Sequence, residues 1–162
     1  MLVRHRKRPI RRGATVVEAA VVMVLFLMFL FSIIEYGRYL GLRQAAENAA
    51  RHGARWALCN TNYNGINGLP LGDKTIVVQR IREALGPGSA NNIVESQLTG
   101  DAINVYKINP ATQANIGAWD TANSSDSIAV EITGQYRWVV PNFLMLASDV
   151  WNVRVRVIMR AE

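Results

Sequence analysis

The chain has 162 residues, half of them hydrophobic, which is enough for one modest domain with an appendage. Its net charge of +6 would suit a nucleic-acid partner, but the whole excess lies in a basic leader before the first acid, Glu18, and the remaining 12 Lys and Arg balance the 12 Asp and Glu. A basic arm followed directly by an apolar run is typical of a membrane anchor with a cytoplasmic N-terminus, so we expect no nucleic-acid partner.

The apolar run that follows the leader predicts a transmembrane helix. From Ala14 to Ile34 the only charged residue is Glu18. These residues would form a helix about 31 Å long, which matches the hydrocarbon core of a bilayer. A cleaved secretory signal, which would release a secreted domain, is the alternative. The residues from Phe31 to Gly37 offer no good cleavage site with small residues at the required positions, so we expect the helix to be retained.

Glu18 is unusual because it is an ionisable residue inside this apolar run. It lies only four residues after Ala14, so its carboxylate could reach the membrane interface at little cost. Alternatively, it has a specific partner. If the chain were cut between Gly13 and Ala14, the new α-amine of one copy could pair with Glu18 of a neighbouring copy and fix the axial register of the two helices.

Several short motifs in the first 58 residues together resemble a known family. Arg11-Arg12-Gly13, with Glu18 five residues beyond the glycine, resembles a type IV prepilin processing site. The segments Ile34–Arg38, Asn48–Arg51 and Gly53–Ala57 extend the similarity to the TadE-like pseudopilins of tight-adherence (Flp) pilus assembly systems. Each fragment alone is weak evidence, whereas their order and spacing are fairly specific.

The resemblance implies a minor pilin-like subunit of a tight-adherence pilus or a related secretion apparatus. Its partners would be a prepilin peptidase that cuts after Gly13, other pilin-like subunits, the assembly machinery and membrane lipid. Its location would be the bacterial inner membrane, crossed once, with the N-terminus cytoplasmic and the C-terminal domain extracytoplasmic. After assembly it could instead be in the pilus or at the cell surface. The expected processing residues are Gly13, Ala14 and Glu18. The alternative is a permanently anchored single-pass envelope protein whose outer domain binds a partner.

The predicted division of the chain is a basic cytoplasmic leader (1–13), a transmembrane helix (14–36) and an extracytoplasmic α+β domain (37–162). The helix is expected to continue to about residue 58. Small residues recur in this continuation at three- and four-residue steps, and the predicted packing positions among them are Ala45, Ala49 and Gly53. Such a seam allows close approach of another element, either within its own domain or in a neighbouring subunit.

The rest of the outer domain predicts a short helix and a small antiparallel sheet. Asp73 is a plausible N-cap for a helix that ends before Gly86, with an inner face formed by Val77, Ile81, Ala84 and Leu85. Strands are expected at 103–108, 127–138 and 151–160, the last two with clear period-two alternation. We expect 109–126 to be an exposed polar loop. The apolar residues 143–146 could form a hydrophobic tip, although a tucked loop is the commoner outcome for such a cluster. The predicted architecture is type IV pilin-like: a long helix packed on this sheet.

The sequence contains no pattern of residues that predicts catalysis. His52 and the single cysteine, Cys59, lie seven residues apart on the expected helix, about 10 Å, which is too far for a thiolate–imidazole pair. Neither a phosphate-binding glycine loop nor a metal-ligand motif occurs. We therefore expect a protein that is not an enzyme and that needs no cofactor or metal.

Overall fold

The computed structural model describes residues 12–85, 99–123, 125–137 and 150–160. These residues confirm the predicted α+β class, with a long N-terminal helix, a four-stranded antiparallel sheet and a short helix. The helices are α1 (Arg12–Cys59), α2 (Tyr63–Asn67) and α3 (Thr75–Leu85). The strands are β1 (Thr99–Ile108), β2 (Asn115–Gly117), β3 (Ser127–Arg137) and β4 (Val150–Arg160).

Helix α1 has 48 residues and changes character along its length. At 1.5 Å per residue it is about 72 Å long. In its first half, large apolar side chains are exposed on all sides of the helix, from Val16 to Ile34. From Glu35 onward one face is buried, because the outer domain packs against it. The two halves follow from the sequence pattern, which is apolar all round before Glu35 and amphipathic after it.

The sheet has the strand order β2-β1-β3-β4, and every pair of neighbours is antiparallel. Its inner face is the one predicted from period-two alternation, and it packs on α1. The buried residues on this face of β3 and β4 are Ile128, Val130, Ile132, Tyr136, Val153 and Val155. Trp138, which the same alternation predicts on this face, lies outside the described residues.

The small residues of α1 form one side of the hydrophobic core. Ala46, Ala49, Ala50, Ala54 and Ala57 are at most 1% exposed, and they belong to the same buried cluster as residues of α3, β1, β3 and β4. Small side chains let α3 and the sheet approach the helix backbone closely. The seam predicted from the sequence therefore packs within its own domain.

Helix α3 covers the distal half of α1 through its apolar face. Val77, Ile81 and Leu85 are buried, and Ala84 packs at the edge of the core. The backbone N–H of Thr75 donates to Oδ1 of Asp73 at 2.9 Å, which satisfies a donor of the first turn. Asp73 therefore caps this helix end, as its position before the apolar pattern predicts.

The segment 109–126 differs from its prediction as an exposed polar loop. It contains the short strand β2 and a 3₁₀ turn, Trp119–Thr121, in which Trp119 and Asp120 are fully buried. Asp120 binds the loop after α1: its backbone O accepts from the N–H of Asn62 at 2.8 Å, and its Oδ2 accepts from the N–H of Gly72 at 3.1 Å. Residues 110–117 are exposed as predicted, and the prediction is wrong only around Trp119 and Asp120. The polar residues on either side dominate the local pattern and give no sign that the single tryptophan is buried. The predicted tip at 143–146 lies outside the described residues.

The close approach of α3 to α1 can be tested at Gly53. A Cβ added there would lie 2.6 Å from Cδ1 of Ile81, a buried side chain, whereas a Cβ added at Gly41 would meet nothing within 4 Å. We expect Gly53→Ala to destabilise the domain by about 1 kcal/mol or more, because overpacking outweighs the gain in helix propensity. Gly41→Ala, the matched control, should be neutral or stabilising. Urea unfolding in detergent micelles measures both, and equal stability of the two variants would contradict the packing described.

Candidate functional site

The N-terminal half of α1 is the first part of the candidate site. Among the helices that the structure describes, α1 is the one that is long and apolar enough to cross a membrane. Its most apolar stretch has no buried residue in the folded chain. The helix of a soluble core would bury such a surface in its own domain. The exposed apolar surface therefore indicates a membrane anchor.

The three predicted processing residues lie at the beginning of this helix. Gly13, Ala14 and Glu18 are all exposed, and nothing lies within 4 Å of the position of a Cβ at Gly13. Glu18 is four residues after Ala14, or about 6 Å along the axis. The outer domain does not cover any of the three, so both a peptidase and a neighbouring helix could reach them.

The second part of the candidate site is the junction where the helix enters the outer domain. Glu35 is only 1% exposed, although it is a carboxylate at the end of an apolar run. The hydroxyl of Tyr136, on β3, donates a hydrogen bond to Oε1 of Glu35. The guanidinium of Arg38 lies one helical turn away, with Nη1 3.8 Å from Oε2 of Glu35. A buried carboxylate needs such partners, since its desolvation is otherwise costly.

Aromatic rings surround this junction. The ring of Tyr39 packs edge-to-face on Tyr136, with centroids 5.8 Å apart, and on Trp151 of β4, with centroids 5.7 Å apart. Edge-to-face pairs add to the burial of the rings themselves. Because β3 and β4 are both held here, the junction fixes the sheet to the helix at the end nearest the membrane.

The chemistry of the junction shifts the pKa of Tyr136. Burial of the phenol raises its pKa well above the usual value, and the hydrogen bond to Glu35 and the charge of that carboxylate raise it further. The positive charge of Arg38 opposes the shift in part. Tyr136 therefore remains a protonated donor to Glu35 throughout the physiological range of pH.

The predicted packing positions Ala45, Ala49 and Gly53 lie away from both of these parts. They are buried under α3 and the sheet, so they are not exposed to a second subunit in the folded domain. The residues predicted for processing and those predicted for packing thus lie on one helix but on different surfaces.

A polar cluster lies on the opposite, outer face of the sheet. Glu131 accepts from Nε of Arg154 at 2.6 Å and from the hydroxyl of Tyr106 at 2.9 Å. The hydrogen bond from Arg154 lowers the pKa of Glu131, whereas burial raises the pKa of Tyr106. Period-two alternation along β3 puts Glu131 on this outer face, where its neighbours bury it. The cluster joins β1, β3 and β4 and is structural.

The described residues offer no arrangement typical of an enzyme. No group of three or more His, Cys, Asp or Glu side chains among them could hold a metal ion. His52 and Cys59 are both exposed on α1.

Sequence reasoning missed the role of Glu35. It appeared only within the family-like segment Ile34–Arg38, and its burial against Tyr136, 101 residues later, was not predicted. The available signal was weak: a single acid that directly follows an apolar run and has an arginine three residues on.

The Glu35–Tyr136 contact can be tested by a double-mutant cycle. Tyr136→Phe leaves the buried carboxylate without this donor and should destabilise the outer domain by about 1–3 kcal/mol. In a Glu35→Gln background the same change should cost clearly less, so we expect a coupling energy of about 1 kcal/mol or more. Tyr36→Phe, at an exposed neighbouring tyrosine, is the matched control and should have little effect. Urea unfolding in micelles measures all variants, and additive effects would contradict the contact.

The raised pKa of Tyr136 predicts a loss of stability in alkali. Below the pKa of an unfolded tyrosine, about 10, the phenol is protonated in both states. Above it the unfolded chain ionises first, so the free energy of unfolding should fall as pH rises from about 10. The decline should be shallower in Tyr136→Phe. Unfolding measured at several pH values compares the two curves, and parallel curves would refute the expectation.

Comparison with known proteins gives one match. Residues 13–55 match the family model described as TadE-like protein, a stretch that includes Glu18, Glu35 and the small-residue seam. Neither the curated proteins nor the solved structures give a significant match to the chain. Over residues 13–55, about a quarter of its length, this protein is similar to TadE-like proteins, which confirms the resemblance predicted from its sequence and relates it to the Tad pilus.

Proposed function

We propose that this protein is a minor pilin-like (pseudopilin) subunit of a tight-adherence pilus or a related secretion apparatus. It is inserted in the inner membrane with its N-terminus cytoplasmic, is processed by a prepilin peptidase after Gly13, and assembles through α1. The observation that carries the proposal is that none of residues 13–34 is buried by the outer domain, in a helix that continues without a break into that domain.

Such a helix suits two successive environments. In the membrane its apolar surface faces lipid chains. In an assembly the same surface can face the helices of other subunits, which are equally apolar. Because α1 is continuous from Arg12 to Cys59, movement of the helix out of the membrane would carry the outer domain with it as one body.

Glu18 supports assembly more than simple anchoring. A lipid-facing helix gains nothing from a carboxylate, and an ionisable residue at this position commonly has a partner. After cleavage the α-amine of Ala14 on one copy could pair with Glu18 of the next copy, which would set the axial register. The family match begins at Gly13, one residue before the proposed mature N-terminus at Ala14, and it includes Glu18.

Cleavage after Gly13 is tested by intact-protein mass spectrometry. When the full chain is co-expressed with a prepilin peptidase, we expect the mature mass to lack residues 1–13. Gly13→Ala keeps the residue small and should still be cleaved, whereas Gly13→Leu should not. A chain that keeps its leader despite an active peptidase would favour the permanently anchored envelope protein instead.

The role of Glu18 in assembly requires a separate readout. Glu18→Gln should still insert and be cleaved, but its recovery in cross-linked complexes with other pilin-like subunits should fall, because the register pairing is lost. Glu47→Gln, a change of the same kind on the part of α1 in the outer domain, is the control. Equal recovery of both variants would exclude a register role.

A further inference from the structure

The described residues that surround the membrane-side end of the outer domain form a distinct surface. It consists of Tyr36, Arg38 and Tyr39 on α1 and Trp151 on β4, and we call it the aromatic collar. We propose that the aromatic collar lies in the headgroup layer of the membrane and binds lipid headgroups directly, so that the outer domain rests on the bilayer. This proposal assumes that α1 crosses the membrane, as above, but it does not depend on processing or assembly.

The depth of the collar follows from helix geometry. Ile34 is the last residue of the apolar run, and Tyr36 and Tyr39 follow it by two and five residues. At 1.5 Å per residue they lie about 3 and 7.5 Å beyond the hydrocarbon edge. The headgroup layer is about 5–8 Å thick on each side of the bilayer. Both tyrosines therefore fall within or at the limit of this layer.

Trp151 lies at the same depth although it is far away in sequence. Its ring contacts that of Tyr39, with centroids 5.7 Å apart. It is nevertheless 39% exposed, unlike the other described tryptophan on a loop or strand, Trp119, which is 1% exposed. Tryptophan and tyrosine prefer the membrane interface, because they combine an apolar ring with one polar group. Exposure of Trp151 in this place is thus favourable if lipid, rather than water, covers it.

Arg38 gives the collar a matching charge. Its side chain is 32% exposed, and its Nη1 lies 3.8 Å from Oε2 of Glu35. A guanidinium has five N–H donors, so those not directed at Glu35 can bind a lipid phosphate. The collar thus joins aromatic rings and a cation at one depth, which is the combination that the headgroup layer accommodates.

The experiment uses the full chain in lipid vesicles and quenching of tryptophan fluorescence by brominated phosphatidylcholine. With bromine near the headgroup end of the acyl chains, we expect clear quenching, and Trp151→Phe should lower the quenched intensity, because the tryptophan of the collar is removed. Trp56→Phe is the matched control. Trp56 is on α1, about 33 Å beyond Ile34 along the helix axis and therefore far from the headgroup layer. Its loss should not reduce the quenched intensity.

A positive control separates the collar from the anchor. A Phe29→Trp variant places a tryptophan inside the proposed span, and it should be quenched strongly by bromine in the middle of the acyl chains. If this variant is quenched but Trp151→Phe changes nothing, the inference is overturned and the membrane span stands. If Phe29→Trp is not quenched either, α1 is not in the bilayer and the inference also fails.

A second measurement avoids removal of Trp151. In a Cys59→Ser background, a nitroxide is attached at Asn152→Cys, next to Trp151, or at Arg55→Cys, near the distal end of α1. Both positions are exposed. For each nitroxide the measured quantity is the ratio of its accessibility to oxygen and its accessibility to a water-soluble nickel chelate. We expect this ratio to be higher at position 152 than at position 55. Equal accessibility at both positions would overturn the inference. Dependence of the result on the protein-to-lipid ratio would instead assign the collar to a second copy of the chain, and would also overturn it.

Discussion

One helix has to be compatible with two different surroundings, and the rest of the structure depends on how the chain manages the change between them. Before Glu35, α1 is apolar on all sides and has no contact face of its own domain. After Glu35 it is amphipathic, and small residues on one side receive α3 and the sheet. The helix does not break at the change, although Gly37 and Gly41 lie close to it, because tertiary packing outweighs their low helix propensity.

Glu35 lies at this boundary within α1, and its burial there fixes the sheet to the helix. The fold buries this carboxylate between Tyr136 of β3 and Arg38, which lies on the next turn of α1. Since removal of one partner of a buried polar pair is costly, the pair resists separation of the sheet from the helix. The aromatic contacts of Tyr39 hold β4 at the same boundary. The outer domain is therefore held rigidly at its membrane side, as a subunit that moves together with its helix would require.

The distal end of the domain is held by different means. There Trp119 is inserted next to Trp56, with ring centroids 6.2 Å apart, and its indole Nε1 donates to the backbone O of Asp73 at 3.3 Å. Oδ2 of the buried Asp120 accepts from Gly72, while Oδ1 has no hydrogen-bond partner among the described residues. The loop after α1 is thus joined to the segment before β3 by backbone and side-chain bonds. Helix and sheet are connected at both ends of their contact, and the alanine seam fills the space between.

The sequence by itself determined the elements whose signal is local. An unbroken apolar run predicts the membrane helix, three- and four-residue spacing of small residues predicts a close packing face, and strict alternation predicts β3 and β4. Local pattern could not determine which distant residues meet. Whether Ala45, Ala49 and Gly53 face their own domain or another subunit, and whether Trp119 is buried, depends on the path of the chain between elements. Glu35 is the clearest case, since a carboxylate after an apolar run reads as an exposed helix end. Only the tertiary structure brings Tyr136 to it, because burial of a charge is decided by the partners that the fold supplies and not by its neighbours in sequence.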